Sequence, residues 1–454
     1  MNGIYKMKNF KVHLFIINSV LFLTAANIFA QNPIIKDQFT ADPAARVFDG
    51  KVYLYPSHDI PANEERGRIG WFCMEDYHVF SSENLTDWTD HGIIVSQDKV
   101  PWVNSKSYAM WAPDCIYRNG KYFFYFPAPA RDTARGRGFF IGAAVSDNPY
   151  GPFTPQPEPI KNVRGIDPNL FIDKDGQAYL FWAARNIYAA KLKENMLELD
   201  SEPKIIEGLP EKGLKEGPYL FERNGIYYLT YPHVQETRER LEYATSDNPM
   251  GPFKFAGVIM DETPDCWTNQ NSVIQYKDQW YLFYHHNDLS PYFDKNRSVR
   301  IDSLFFNKDG TIKKVIPTLR GVGVTDASKE IQIDRYSLKS RKGSSVDFLD
   351  TLNKFGGWKA VLDTAGAWIQ YNSVDFGKNK FKSVSLKVFS KTGCTIQLLS
   401  DKLDNPVIDK IIIPKNNEWK VVNFPIAGFQ PGIHNLILLL KDDKAVEVDW
   451  IKFE

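Results

Sequence analysis

The sequence predicts an all-β chain: a five-bladed β-propeller over residues 31–325 followed by a jelly-roll-like β-sandwich over residues 326–454. Three observations carry that expectation. Long amphipathic helical patterns are scarce, and short alternating or apolar runs separated by Gly, Pro, Asn and Asp dominate. Five of these runs follow a tight turn, and the unit recurs at intervals of roughly 50 to 70 residues, as blades around an axis do. After a polar stretch that includes Lys339-Ser-Arg-Lys-Gly-Ser-Ser345, alternation resumes over a length that suits one sandwich.

Residues 1–30 read as an export signal. Lys6, Lys8 and Lys11 precede an apolar run from Leu14 to Leu23, and Ala30 suits the last position before cleavage. The run is short for a membrane span, so the mature chain is expected to be exported, to a periplasm or the medium, with no membrane partner. Cys73, Cys115, Cys266 and Cys394 are widely spaced, with no metal-binding pair, and read as buried free thiols. The formal net charge is zero, which argues against a nucleic-acid partner. Aromatic content of 14%, with 11 Trp and 22 Tyr, suits sugar stacking as well as an all-β core.

Each blade is expected to hold a central strand behind a turn. The strands are Lys51–Tyr55, Lys121–Tyr125, Ala178–Trp182, Ile226–Thr230 and Trp280–Tyr284. Four of the turns are Asx-Gly pairs (Asp49-Gly50, Asn119-Gly120, Asp175-Gly176, Asn224-Gly225), which favour tight hairpins. The preceding strands open on Asp42-Pro43, Ala112-Pro113-Asp114, Asp167-Pro168, Glu216-Gly217-Pro218 and Asn271-Ser272. A second repeat marks outer turns: Ser146-Asp-Asn-Pro-Tyr-Gly-Pro-Phe153 returns as Ser246-Asp-Asn-Pro-Met-Gly-Pro-Phe253. In the sandwich the expected strands include Ser383–Phe389, Thr395–Leu399, Trp419–Phe424 and His434–Leu440.

In a propeller the strand openings converge on one end of the central channel. Asp42, Asp167 and Glu216 therefore meet, although far apart in sequence. Like charges in one pocket repel, so their pKa values spread and leave one group ionised and another protonated. Glycoside hydrolysis needs such an acid and base. Asp-Pro and Glu-Gly-Pro are also plain turn formers, but three carboxyls at one repeat position favour the chemical reading.

The region from Asn32 to Gly323 resembles glycoside hydrolase family 43. The resemblance is carried by Thr40-Ala-Asp-Pro43, Gly165-Ile-Asp-Pro-Asn-Leu-Phe171, Lys215-Glu-Gly-Pro-Tyr219, Phe283-Tyr-His285 and the paired Ser-Asp-Asn-Pro turns. It implies an inverting hydrolase in which Asp42 is the general base, Asp167 orients the acid and tunes its pKa, and Glu216 is the general acid. It also implies His285 at the propeller centre, near a bound calcium or ordered water, with His286 as a second candidate. Arg297, or Arg300 in its place, resembles a substrate-contacting Arg. Trp111 and Asp114 open the second blade and are expected to line the sugar pocket. Relatives often carry His where Gln270 stands.

Tyr53-Leu-Tyr-Pro-Ser-His-Asp59 and Met74-Glu-Asp-Tyr-His-Val-Phe80 resemble the subset that releases α-L-arabinofuranosyl residues from arabinoxylan or arabinan, a plant polysaccharide substrate. A β-xylosidase, an endo-acting member of the family and a non-catalytic sugar-binding propeller are the alternatives. No cofactor is required for the chemistry, and a structural calcium is left open. The C-terminal region resembles carbohydrate-binding module family 6 through Tyr371-Asn-Ser-Val-Asp-Phe-Gly377, Glu418-Trp-Lys420, Gly432-Ile-His-Asn-Leu436 and Val448-Asp-Trp450. Trp368 and Tyr371 are either sugar-facing aromatics or core, and Glu447 stands where such modules usually carry Asn.

Overall fold

Alternation along the strands decides how the N-terminal sheets stack. The structure, a computed structural model, describes residues 32–353, 357–378 and 381–454, so the signal read at residues 1–30 lies outside it. Strands β1–β4 (Phe39–Phe48, Lys51–Asp59, Asp76–Ser82, Thr89–Ser96) form the first antiparallel sheet. β5–β8 (Asp114–Arg118, Lys121–Pro129, Phe139–Ser146, Thr154–Pro155) form the second, and β9–β12 (Ile166–Ile172, Ala178–Ala184, Asn186–Leu192, Lys204–Ile205) the third. The fourth holds β13–β17 (Leu214–Lys215, Tyr219–Arg223, Ile226–Val234, Glu239–Ser246, Lys254–Met260), with β13 and β14 both pairing with β15. β18–β20 (Ser272–Tyr276, Gln279–His286, Ser298–Leu304) make the fifth.

Opposite faces of one strand feed different cores. On β2, Tyr53 and Tyr55 pack with Phe124 and Phe126 of the second sheet, whereas Val52 and Leu54 pack with Ile274 and Phe283 of the fifth. On β6, Phe123 and Tyr125 join Leu180 and Trp182 of the third sheet. Phe181 joins Leu229 and Tyr231 of the fourth, and Phe221 joins Leu282 and Tyr284 of the fifth. The five sheets thus share five apolar interfaces and close into a ring, with the innermost strands β1, β5, β9, β14 and β18 touching in turn. The segment before β1 and the start of β1 help to seal it: Ile34 N–H donates to Val299 O (3.0 Å), and Thr40 N–H to Arg297 O (3.0 Å). Both copies of the outer-turn repeat bury their Phe, Phe153 and Phe253, in interfaces between sheets.

A buried polar chain ties the inner strands. Asp114 receives Arg46 of β1 (Nε to Oδ1, 3.0 Å) and also Asn169 Nδ2 (3.0 Å) and Leu170 N–H (2.7 Å) of β9. Asn169 Oδ1 in turn accepts Leu220 N–H of β14 (2.9 Å). Removing one partner of a buried ion pair strands the other charge. Asp114→Ala is therefore expected to destabilise the protein by about 3–5 kcal/mol, read as a lower urea midpoint at unchanged m-value.

The C-terminal sandwich packs two mostly antiparallel sheets. It comprises β21–β26 (Thr325–Asp326, Ile331–Gln332, Leu338–Lys339, Ser344–Phe348, Trp358–Leu362, Trp368–Asp375) and β27–β32 (Ser383–Phe389, Cys394–Ser400, Asp409–Ile413, Lys420–Pro425, Ile433–Leu440, Val446–Phe453). One sheet runs β21-β26-β31-β28-β29 and the other β24-β25-β32-β27-β30. Tyr371 is fully buried and so belongs to their shared core, while Glu447, partly exposed, pairs with Lys359 (2.9 Å). Trp368 is half-buried. Arg320 Nε donates to Asn372 O (2.9 Å) and Arg335 to Asn32 O (2.7 Å), which joins the sandwich to the ring. All four cysteines are free and buried. Among the described residues no helix is long and apolar enough to cross a membrane.

Candidate active site

Three carboxylates reach one pocket through the same backbone device. On β1 the register with β2 slips between Ala41 and Ala44, leaving Asp42-Pro43 out of step. On β9 the register with β10 slips across Asp167-Pro168. In the fourth sheet Glu216-Gly217-Pro218 interrupts the pairing with β15 between Lys215 and Tyr219. Proline has no N–H to give a ladder, and a bulge re-aims its neighbour. Asp42 (φ 47°) and Asp167 (φ 56°) sit in the left-handed region, costly for non-glycine residues and common where function demands it. At the third site Gly217 (φ 51°) takes that conformation, one residue after the carboxylate. A Cβ at Gly217 would lie 2.9 Å from the Pro232 ring and 3.0 Å from Gln270.

The pocket is lined by Asp42, Asp167, Glu216, Arg297 and Trp111, all read from the sequence as site residues. Asp42 is buried and held on both oxygens: Arg297 Nη1 donates to Oδ1 (2.8 Å) and Ser57 Oγ to Oδ2 (2.7 Å). Arg297 also makes a bidentate pair with the fully buried Asp59 (Nε and Nη2, both 2.9 Å). Asp167 Oδ2 accepts Gly217 N–H (2.9 Å), which fixes the peptide beside Glu216. Burial, then the Glu216 and Asp42 charges, hold Asp167 well above the ordinary carboxylate range. Burial also raises Glu216, opposed by a hydrogen bond from Glu239 and reinforced by Asp42. The site therefore offers a base fixed by a cation and an acid that keeps its proton above the pH at which an exposed Glu loses it.

Two expected substrate contacts stand outside the lining. Asp114 is committed to Arg46 and the inter-sheet ties described above. The buried Arg300 is paired with the half-buried Asp288 (Nε to Oδ2, 2.8 Å). Arg300 lies within β20 and Arg297 just before it, three positions away, and an odd separation along extended chain puts the two side chains on opposite faces. His285 is fully buried beneath Asp42. Its Nδ1 accepts Asp42 N–H (3.1 Å), which leaves Nε2–H to donate to Thr268 O (3.0 Å). Burial, then the Arg297 charge, push its pKa down to about 3, so it stays neutral. With both ring nitrogens engaged, His285 has no lone pair free for a calcium in this arrangement. His286 contacts Thr263 (2.7 Å). Among the described residues the one cluster of metal-ligand type is His58, Asp76 and His78, none of which lines the pocket.

The sequence reading missed four features of the pocket. Ser57 and Asp59 lie in the segment singled out as a motif, but their bonds to Asp42 and Arg297 depend on strand pairing. Trp71, Phe72 and Trp267 form an aromatic wall with Trp111 at the mouth. Phe72 stacks on Trp267 (6.1 Å between centroids), and Lys295 lies over both rings. Glu239, at the start of β16, is a fourth carboxyl in the lining and is itself buried.

The model of glycosyl hydrolases family 43 matches residues 30–312, and that of carbohydrate binding module family 6 matches residues 338–454. Xylosidase/arabinosidase 43A of Humicola insolens is 36% identical over 329 residues, covering 62% of this chain and 98% of that protein. A solved β-xylosidase/α-arabinofuranosidase from a compost microbial metagenome, in complex with xylotriose and calcium-free, superposes with a TM-score of 0.57 at 34% identity. It covers 63% of this chain and 98% of its own. The arabinoxylan arabinofuranohydrolase of Bacillus subtilis is 25% identical over 479 residues, 91% of this chain and 90% of that one, and so spans both domains.

Proposed function

The chain belongs to the glycosyl hydrolases of family 43, and from that premise we propose that it is an exported, inverting glycosidase that removes terminal α-L-arabinofuranosyl residues from arabinoxylan. The convergence of Asp42, Asp167 and Glu216 around Arg297 in one pocket carries this reading. A sugar-binding propeller without turnover would have no use for a base clamped by a buried guanidinium beside a protonated acid. The motif segments around Tyr53–Asp59 and Met74–Phe80, and the two-domain likeness to the Bacillus subtilis enzyme, favour arabinose. A β-xylosidase is the second reading, favoured by the higher identity to proteins named xylosidase/arabinosidase.

In this reading Asp42, oriented by Arg297 and Ser57, takes a proton from the attacking water. Glu216 gives its proton to the leaving oxygen as the glycosidic bond breaks. Asp167 holds the Gly217 peptide and thereby the Glu216 backbone. The aromatic wall of Trp71, Phe72, Trp111 and Trp267 offers faces on which sugar rings stack.

Product release from aryl α-L-arabinofuranoside and aryl β-D-xyloside tests the proposal. Preferential cleavage of the arabinoside, with arabinose freed from arabinoxylan, is the expected result. Preference for the xyloside moves the activity to xylosidase, and no sugar released from either compound or from polymeric xylan and arabinan overturns the enzyme reading.

A further inference from the structure

Glu239 is buried, with 2% of its surface exposed, and lines the same pocket as Glu216. Its two oxygens are in different situations. Oε2 accepts the Asn269 N–H at 2.5 Å, so it behaves as the carbonyl-type oxygen. Oε1 is buried and meets no ordinary donor. The Glu216 carboxyl lines the same pocket and its charge acts on Glu239, which makes it the partner within reach of that oxygen. Two carboxylates cannot bond to each other, so one of the pair carries the proton between them. The environment decides which. Glu216 opens onto the pocket and feels Asp42 and Arg297; Glu239 faces Glu216, Asp167, the Cys266 thiol and the Asn269 amide, with no cation among them.

We propose that Glu239 is a neutral carboxylic acid that positions the general acid, donating a hydrogen bond from Oε1 to one oxygen of Glu216 and so turning the other, protonated oxygen toward the leaving group. The inference rests on Glu216 acting as the acid. When the Glu216 proton passes to the leaving oxygen and the electron pair of the broken bond stays on that oxygen, the negative charge left on Glu216 already has a donor aimed at it. Glu239 keeps its own proton throughout, and Glu216 regains one from solvent. A carboxyl held neutral by burial so that it can donate is an established way to stabilise a nearby anion.

The test uses two variants of the full chain and two aryl pentosides, one with a poor and one with an activated leaving group. In Glu239→Gln the Asn269 N–H should hold the amide oxygen, which points the amide NH2 at Glu216. This permanent neutral donor is expected to keep kcat/KM within about threefold of wild type on both substrates, with the basic limb of the pH profile in place. Glu239→Leu removes the donor and is expected to cost ~10²-fold on the poor leaving group, little on the activated one, and to move the basic limb to higher pH. If Glu239 instead served as an ionised neighbour, both variants would move that limb to lower pH, and the proposal fails. It fails equally if Glu239→Gln loses as much as Glu239→Leu. If Glu239→Leu does not fold, Glu239→Met, which also lacks a donor, takes its place against Glu239→Gln, and equal activity of the two variants overturns the proposal. Lack of activity in wild type would sink the glycosidase reading itself, a result distinct from any of these.

Discussion

Glu216→Gln should lower kcat/KM by about 10²–10⁴-fold on glycosides with poor leaving groups and far less on activated aryl glycosides. Only a basic alkoxide needs a proton to depart. The amide matches the carboxyl in size, so folding should be unaffected and the loss should fall on chemistry. The pH profile adds a second signature. Burial, with Asp42, holds Glu216 above the ordinary carboxylate range. The protonated, competent form therefore persists to higher pH than for an exposed Glu, and wild-type activity declines as pH rises through that raised value. The variant has no such proton, so its residual activity should lack the basic limb. Equal losses on both leaving groups with the limb retained would assign the acid elsewhere. Glu239 would then be the first residue to examine.

The ring was legible because its repeat is chemical as well as periodic. Asx-Gly turns fix hairpins locally, and the central strands alternate residues that face two different interfaces, so period and turn chemistry agree. The positions of Asp42, Asp167 and Glu216 were legible for a related reason. Each is followed by a proline within two residues, and a proline near the start of an inner strand breaks the ladder and redirects the preceding side chain. What could not be read was the far partner of each charge. Arg46 and Asp114, 68 positions apart, meet only after the first two sheets pack. Asp114 sits at a strand opening like the other carboxyls, yet its strand carries no bulge at that residue and its carboxyl is spent between sheets.

Glu239 shows the opposite failure. It stands in Glu236-Thr-Arg-Glu-Arg240, a charged run that suits an exposed hairpin tip, and Glu236 and Thr237 are indeed exposed, with Arg238 half-buried. One residue further along, β16 begins and its first side chain turns inward. A two-residue period places alternate side chains on opposite faces, so a single charged residue at a strand start can enter a pocket while its neighbours remain in water. Composition averages over that difference. The aromatic wall was hidden in a similar way: Trp71 and Phe72 lie in the connection between β2 and β3, and Trp267 in that between β17 and β18. Loops on a rigid ring place residues that no strand pattern reports.

Arg297→Met should be the most damaging single change in the pocket, reducing turnover by at least ~10²-fold and stability by about 3–5 kcal/mol. The guanidinium serves two carboxylates at once, Asp42 with one nitrogen and Asp59 with two, all buried. A lysine is a single point charge and could not replace that fork. Asp59 makes the stability loss depend on pH in a known direction. Burial already raises its pKa above the exposed value even with Arg297 opposing. Removing Arg297 raises it further. A carboxyl whose folded pKa lies above its unfolded one penalises the folded state once both forms are ionised, and the penalty fades as pH falls through the folded value. The deficit of Arg297→Met should thus be largest at neutral pH and shrink toward mildly acidic pH, as followed by urea unfolding at the two. A deficit that ignores pH would point instead to lost packing of Arg297 over the Phe72 ring, 4.8 Å away, and would reduce its place in the site from a charge clamp to a spacer. The split between kcat and KM then separates the remaining possibilities. A clamp on the base lowers kcat for arabinoside and xyloside alike, whereas a contact to sugar hydroxyls raises KM for whichever sugar it recognises.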